Sequence, residues 1–126
     1  MLGYVTVGTN DFDKAAEFYD ALLAELGGKR MMDEERFIAW SSGGQGAAIS
    51  IIKPFDEQTA TVGNGVMLSL ATNSTDMVDK VYAKAMELGA TCEGKPGPRG
   101  DAGFYAGYFR DLDGNKLNAF CMPGMG

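Results

Sequence analysis

An ordered series of matches between its two halves constrains this chain more than any other feature. Thr9-Asn10 recurs as Thr72-Asn73, Asp13 as Asp76 and Tyr19 as Tyr82, each at a shift of 63 residues (72 − 9, 76 − 13, 82 − 19). Glu25-Leu26-Gly27 recurs as Glu87-Leu88-Gly89 at a shift of 62 (87 − 25). Half of the 126 residues is 63. Single pairs arise by chance, but a series in order across a strand–helix segment indicates an internal duplication. The fold must then be built from two copies of one small unit.

The content of that unit follows from periodicity. Residues 2–9 alternate, with Gly3, Val5 and Val7 on one face and Tyr4, Thr6 and Gly8 on the other. Asn10 or Asp11 supplies an N-cap. Phe12, Ala15, Ala16, Tyr19, Leu22, Leu23 and Leu26 then follow the three-and-four spacing of an amphipathic helix, closed by Gly27-Gly28. Residues 29–32 and 36–40 read as short strands around an acidic turn, and 47–52 as a fourth strand stopped by Pro54. After a polar connector the pattern restarts. Residues 65–71 form a strand, with Val66, Leu68 and Leu70 opposite Met67, Ser69 and Ala71. Asn73 or Ser74 caps a helix whose stripe is Val78, Val81, Tyr82, Ala85 and Leu88, closed by Gly89. A Gly/Pro-rich loop over 91–103 contains a short strand near 91–93.

The last two strands form a hairpin, FYAGYFRDLDGNKLNAF over 104–120, turning at Asp113-Gly114-Asn115, where Gly and Asn tolerate positive φ. Leu117, Ala119 and Cys121 share a face suited to a dry core; Lys116, Asn118 and Phe120 share the other. Each helix needs a dry sheet face to cover, and the aliphatic faces provide it. The mixed faces then line a pocket between curled sheets, or stand as ordinary solvated surface. The expected fold is α+β: two tandem β-α-β-β-β modules forming a curved mixed sheet around a cleft, with helices on the outer face. Module 1 spans 1–54, a linker 55–64 and module 2 65–126, within one domain.

Composition removes several function classes. There is no histidine, so Ser-His-Asp and Cys-His catalysis and His-based zinc or iron sites are excluded within one chain. A net charge of −6 without a basic patch argues against nucleic acid and anionic membranes as partners. No apolar run approaches a membrane span, and no signal peptide is expected. Cys92 and Cys121 lack metal-like spacing and read as reduced thiols, consistent with a cytoplasmic location.

The closing Phe109-Arg110-Asp111-Leu112-Asp113-Gly114-Asn115-Lys116-Leu117, the opening strand with Asn10-Asp11 and a helix containing Phe18-Tyr19, and the paired modules together resemble the vicinal oxygen chelate superfamily of glyoxalases, bleomycin-resistance proteins and extradiol dioxygenases. Leu112 stands where that hairpin usually has proline. The resemblance covers essentially the whole chain and implies a U-shaped cleft and a homodimer. In metal-using members four strands each present one inward His, Glu or Gln. Carried over by position, these ligands fall on Tyr4, Ser50, Met67 and Asn118, none a strong divalent-metal ligand. The resemblance therefore implies no metal and no cofactor.

The favoured reading is a glyoxalase/bleomycin-resistance-like protein that binds a small molecule. Tyr4, Met67 and Phe120 supply apolar surface, and Thr6, Ser50, Ser69 and Asn118 supply hydrogen bonds. Arg99, in the 94–103 loop, joins this set as a possible grip on an anionic group, although loop arginines are ordinarily solvated. The alternative is a lactoylglutathione lyase-like or dioxygenase-like enzyme with an atypical site. That reading needs a base and a Lewis acid; Glu17, Glu25 and Glu93 are the available bases, and Tyr4 or Tyr105 the available acids. A third reading, a subunit devoted to protein contact, has no specific support. Trp40 can wall the cleft or belong to the core, because its neighbours fix no parity.

Overall fold

The computed structural model describes residues 1–44 and 46–123; Gln45 and 124–126, the end of the expected second module, lie outside the described residues. The chain divides into two compact units, Met1–Gly63 and Asn64–Gly126. The first runs β1 (Tyr4–Gly8), α1 (Phe12–Ala24), β2 (Lys29–Asp33), β3 (Phe37–Ser41) and β4 (Ala48–Ile52). The second runs β5 (Leu68–Ala71), α2 (Thr75–Glu87), β6 (Thr91–Pro98), β7 (Tyr105–Arg110) and β8 (Lys116–Cys121). The sheets are ordered β1-β4-β3-β2 and β5-β8-β7-β6, each with one parallel pair, β1 with β4 and β5 with β8. Each unit is thus a β-α-β-β-β module, and the fold class is α+β.

The duplication extends to the caps. Asp11 caps α1 through Lys14 N–H at 3.2 Å, and Ser74 caps α2 through Met77 N–H at 3.1 Å. Both helices end on a glycine at positive φ, Gly27 (77°) and Gly89 (99°). The next N–H reaches back five residues, Gly28 to the Leu23 carbonyl at 2.8 Å and Ala90 to the Ala85 carbonyl at 2.9 Å. This closure satisfies orphan carbonyls and needs a residue that tolerates φ > 0. It stops α1 at Ala24, so Leu26 lies in the closing turn. Asn10 is no cap: it brackets the Ala60 backbone, accepting from its N–H at 2.7 Å and donating to its carbonyl at 3.0 Å.

Each helix packs on the aliphatic face of its sheet. In the first unit Tyr19 meets Trp40 with ring centroids 5.7 Å apart, over buried Val7, Ile38 and Ile51. In the second, Tyr82 meets Phe109 at 6.5 Å, over buried Leu70, Leu117 and Ala119. Trp40 therefore belongs to the core beneath α1. Its indole N–H donates to Asp20 Oδ1 at 2.8 Å, and Arg30 Nη2 pairs with Asp20 Oδ2 at 2.7 Å.

Two strands differ from their sequence expectation. β5 starts at Leu68 rather than 65, because its ladder on β8 begins at Leu68↔Leu117 and Gly65 turns the chain at φ 92°. β6 runs eight residues to Pro98 instead of three. It is an edge strand, where Pro96 and Pro98 need no outward N–H, and register shifts between Cys92 and Gly94 and between Gly94 and Gly97 absorb its irregularity. The hairpin turn is organised by buried Asp111, whose Oδ1 accepts from the N–H of Asp113 and of Asn115, both at 2.9 Å, while Oδ2 accepts from Asn115 Nδ2 at 3.0 Å.

Asp20 gives the first unit a defined acid sensitivity. The Arg30 guanidinium, aided by the Trp40 N–H, holds its carboxyl below the usual aspartate range against the opposing effect of partial burial. A group lowered in this way stabilises the fold above its unfolded pKa of about 3.9 and loses that contribution as pH falls through the folded value. Asp20→Asn should therefore be less stable than the wild type at neutral pH, with the gap closing in acid. Denaturation followed by the fluorescence of Trp40, the only tryptophan, reads this directly. A gap that persists undiminished to about pH 2 would contradict it.

Candidate functional site

With each helix on one face, the side chains of opposite parity occupy the other. In the first unit Thr6 and Ser50 are direct partners across β1 and β4, and Tyr4 lies beside Ala48. Ser50 is fully buried, and its hydroxyl donates to the Val5 carbonyl at 2.9 Å. That use of its single proton leaves Thr6 as the donor in their 2.7 Å hydroxyl contact. Both groups are therefore committed to their own sheet. Tyr4 is 63% exposed and meets the Phe37 ring edge-on at 6.2 Å.

In the second unit one row crosses all four strands: Ser69 on β5, Asn118 on β8, Tyr108 on β7 and Gly94 on β6. The next row holds Ala71, Phe120, Ala106 and Gly97, and Phe120 stacks on Phe104 at 5.5 Å and 20°. Ser69 is exposed and Phe120 partly so; Met67 precedes β5 and is 38% exposed. Asn118 is 1% exposed, and its Oδ1 has no hydrogen-bond partner. Such an atom has lost water without replacement, a cost of about 1–3 kcal/mol.

Arg99 is not a solvated loop arginine. Its side chain folds back over the sheet, donating through Nη1 to the Gly97 carbonyl at 2.9 Å and through Nη2 to the Lys95 carbonyl at 2.7 Å. The guanidinium lies over the Tyr108 ring at 5.4 Å from its centroid, and Lys116 Nζ approaches the same ring at 5.5 Å. Lys116 was placed on the mixed face of β8 without a role of its own, and Tyr108 was not among the expected site residues. The hairpin register, which pairs Tyr108 with Asn118, is the signal that would have found it.

The candidate acids and bases are placed elsewhere or engaged. Glu93 is paired with Arg110 at 3.0 Å. Tyr105 shares the parity of Leu117, on the α2 side, and its hydroxyl donates to Asp79 at 2.7 Å; the carboxylate pushes the phenol pKa up. Glu17 lies in a carboxylate-rich surface groove with Asp13, Asp33, Glu34 and Glu35, on the helix side of the first unit. Glu25 follows the last turn of α1, away from the Thr6–Ser50 face.

The model of the Glyoxalase/Bleomycin resistance protein/Dioxygenase superfamily matches residues 1–119. The chain belongs to this superfamily. It is similar to a solved glyoxalase/bleomycin resistance protein from Albidiferax ferrireducens T118, at 35% identity and a TM-score of 0.88 over 98% of this chain and 99% of that one. It is also similar to hypothetical protein SA1046 from S. aureus, at 27% identity and a TM-score of 0.73 over 94% and 91% of the two chains. The fosfomycin resistance protein FosX of Listeria monocytogenes shares the fold, at 16% identity and a TM-score of 0.72 over 96% and 92%. No functionally curated protein matches the chain.

The four positions that the resemblance assigns to metal ligands do not fit a divalent ion in this chain. Of these expected positions, Ser50 is committed to Val5 and Thr6, Tyr4 is a neutral phenol, Met67 a thioether and Asn118 an amide. Among the described residues no group of three or more Asp, Glu or Cys is placed to hold a metal ion. A divalent cation requires charge or imidazole that this set lacks.

The contrast between Ser50 and Asn118 predicts opposite stability effects. Ser50→Ala removes a satisfied hydroxyl and should cost about 1 kcal/mol. Asn118→Leu removes an unsatisfied buried amide at similar volume and should raise the thermal midpoint by a few degrees, about 1–2 kcal/mol. Paired thermal denaturation of the two variants tests this; equal losses would mean that Asn118 is satisfied in solution.

Proposed function

We propose that this chain is a small-molecule-binding member of the superfamily that works without the usual metal centre. The observation that carries the reading is the buried Asn118 amide, whose Oδ1 lacks a partner on a sheet face that also bears Ser69, Phe120 and the Phe104 stack. A fold tolerates an orphaned buried acceptor where a bound molecule donates to it. Asn118 is the principal polar contact, Ser69 a second hydrogen-bonding group, and Phe120 the apolar platform. Met67 and Arg99 lie at the margins of this ligand surface. Tyr4, Thr6 and Ser50 belong to the corresponding face of the first unit, with Tyr4 as its ligand-facing ring. A homodimer in the cytoplasm belongs to the same reading.

A fragment library screened by NMR against the isotopically labelled full chain tests it. Binders should shift the Asn118 side-chain amide resonances. Asn118→Leu should weaken them about tenfold, the loss of one buried hydrogen bond, and Tyr4→Ala tests the face of the first unit separately. Binders unaffected by both substitutions would show that the site is elsewhere.

A further inference from the structure

We infer that the Asn118 face of the second unit recognises a small oxyanion, a carboxylate or phosphonate carried on an apolar body. This deepens the binding reading above and rests on it. Arg99 is the first element of such a site. Its guanidinium has five donors; three bonds, to the carbonyls of Gly97, Pro98 and Lys95 at 2.9, 3.3 and 2.7 Å, hold it in place. Two donors remain. The sheet beneath is cleared to admit it, since a Cβ on Gly94 would lie 3.3 Å from Nη2 and one on Gly97 would lie 3.2 Å from Nη1.

Lys116 adds a second cation over the same Tyr108 ring. Neither Arg99 nor Lys116 pairs with a carboxylate among the described residues, whereas neighbouring Arg110 is neutralised by Glu93 at 3.0 Å. Two half-buried cations against one aromatic ring leave local positive charge that a bound anion would offset. Arg99, held by backbone carbonyls, loses little further entropy on binding, which favours planar recognition of carboxylate or phosphonate.

The face also sets the rest of the ligand. Lys116, Asn118 and Phe120 follow one another along one side of β8, and the Arg99 guanidinium reaches in from the end of β6 beside Gly94 and Gly97, the edge positions of the Asn118 and Phe120 rows. A fitting ligand carries its acid at the Tyr108 end, an N–H or O–H opposite Asn118 Oδ1, and an apolar ring against Phe104 and Phe120.

Titration of the full chain with benzoate, phenylphosphonate and neutral benzamide, by calorimetry at two salt concentrations, tests this. The oxyanions should bind about tenfold more tightly than benzamide, the margin of charge-assisted hydrogen bonds, and the preferred oxyanion identifies the headgroup. Raised salt should weaken them. Lys116→Gln and Arg99→Gln should each remove most of the preference. Arg99→Lys keeps the charge without the planar fork and should fall between. Because Arg99 also ties down its loop, Lys116→Gln provides the independent arm. Benzamide binding as tightly as benzoate, no oxyanion binding at millimolar concentration, or unchanged affinity in both glutamine variants would overturn the inference. Neutral binders that depend on Asn118 without charge preference would leave the binding reading intact while removing the oxyanion. Oxyanion binding that needs Arg99 and Lys116, with no fragment that shifts the Asn118 side-chain amide, would keep the charged site and remove Asn118 as the principal polar contact.

Discussion

The packing of one amphipathic helix onto one face of each four-stranded sheet is the constraint on which everything else depends. Strands alternate side chains with a period of two, so the face a helix covers determines which residues occupy the other. In both units the contact is anchored by a tyrosine of the helix against an aromatic residue of the third strand, Tyr19 on Trp40 and Tyr82 on Phe109. A one-residue slip of β8 would carry Leu117 and Ala119 away from α2 and place Asn118 beneath it. Burial of those aliphatic side chains, about 1.5–3 kcal/mol for a full-sized residue, sets the register. The position of Asn118 is a consequence.

That consequence is costly. Ser50 is buried as deeply as Asn118 in the other unit, but its hydroxyl is used by Val5 and Thr6. Asn118 has Tyr108 and Ser69 as sheet neighbours, and its Oδ1 takes no bond from either. The two units thus treat equivalent faces differently, one closed by its own hydrogen bonds and the other left with a buried, unpartnered acceptor in the same row as Tyr108. A side chain at Gly94 or Gly97 would press on the Arg99 guanidinium, which would have to give by a few tenths of an ångström.

Much of this was legible in the sequence because it rests on local periodicity. The duplication, both helix stripes, the glycine stops and the parity of β8 follow from spacing alone. The family hairpin was visible, but its organising carboxylate, Asp111, was not, because a side chain that accepts backbone N–H groups two and four residues on leaves no hydrophobic pattern. The length of β6 was hidden by its prolines, which disqualify a central strand and are tolerated at an edge. Trp40 had no determinable parity until Asp20 was seen to take its N–H. The fold-back of Arg99 was not legible for a related reason: composition marks a Gly/Pro loop as solvated, whereas the path of its side chain is set by backbone carbonyls of β6.

The central claim is that this face binds its ligand through an amide, an aromatic ring and cations, with no metal ion between. Elemental analysis of untagged protein, grown with added zinc, nickel, manganese and iron and then dialysed, tests it most directly. A polyhistidine tag must be absent, since the chain itself has no histidine. The account predicts metal far below one atom per chain. About one atom per chain surviving dialysis would contradict it, because Tyr4, Ser50, Met67 and Asn118 offer no charged donor set to hold a divalent ion.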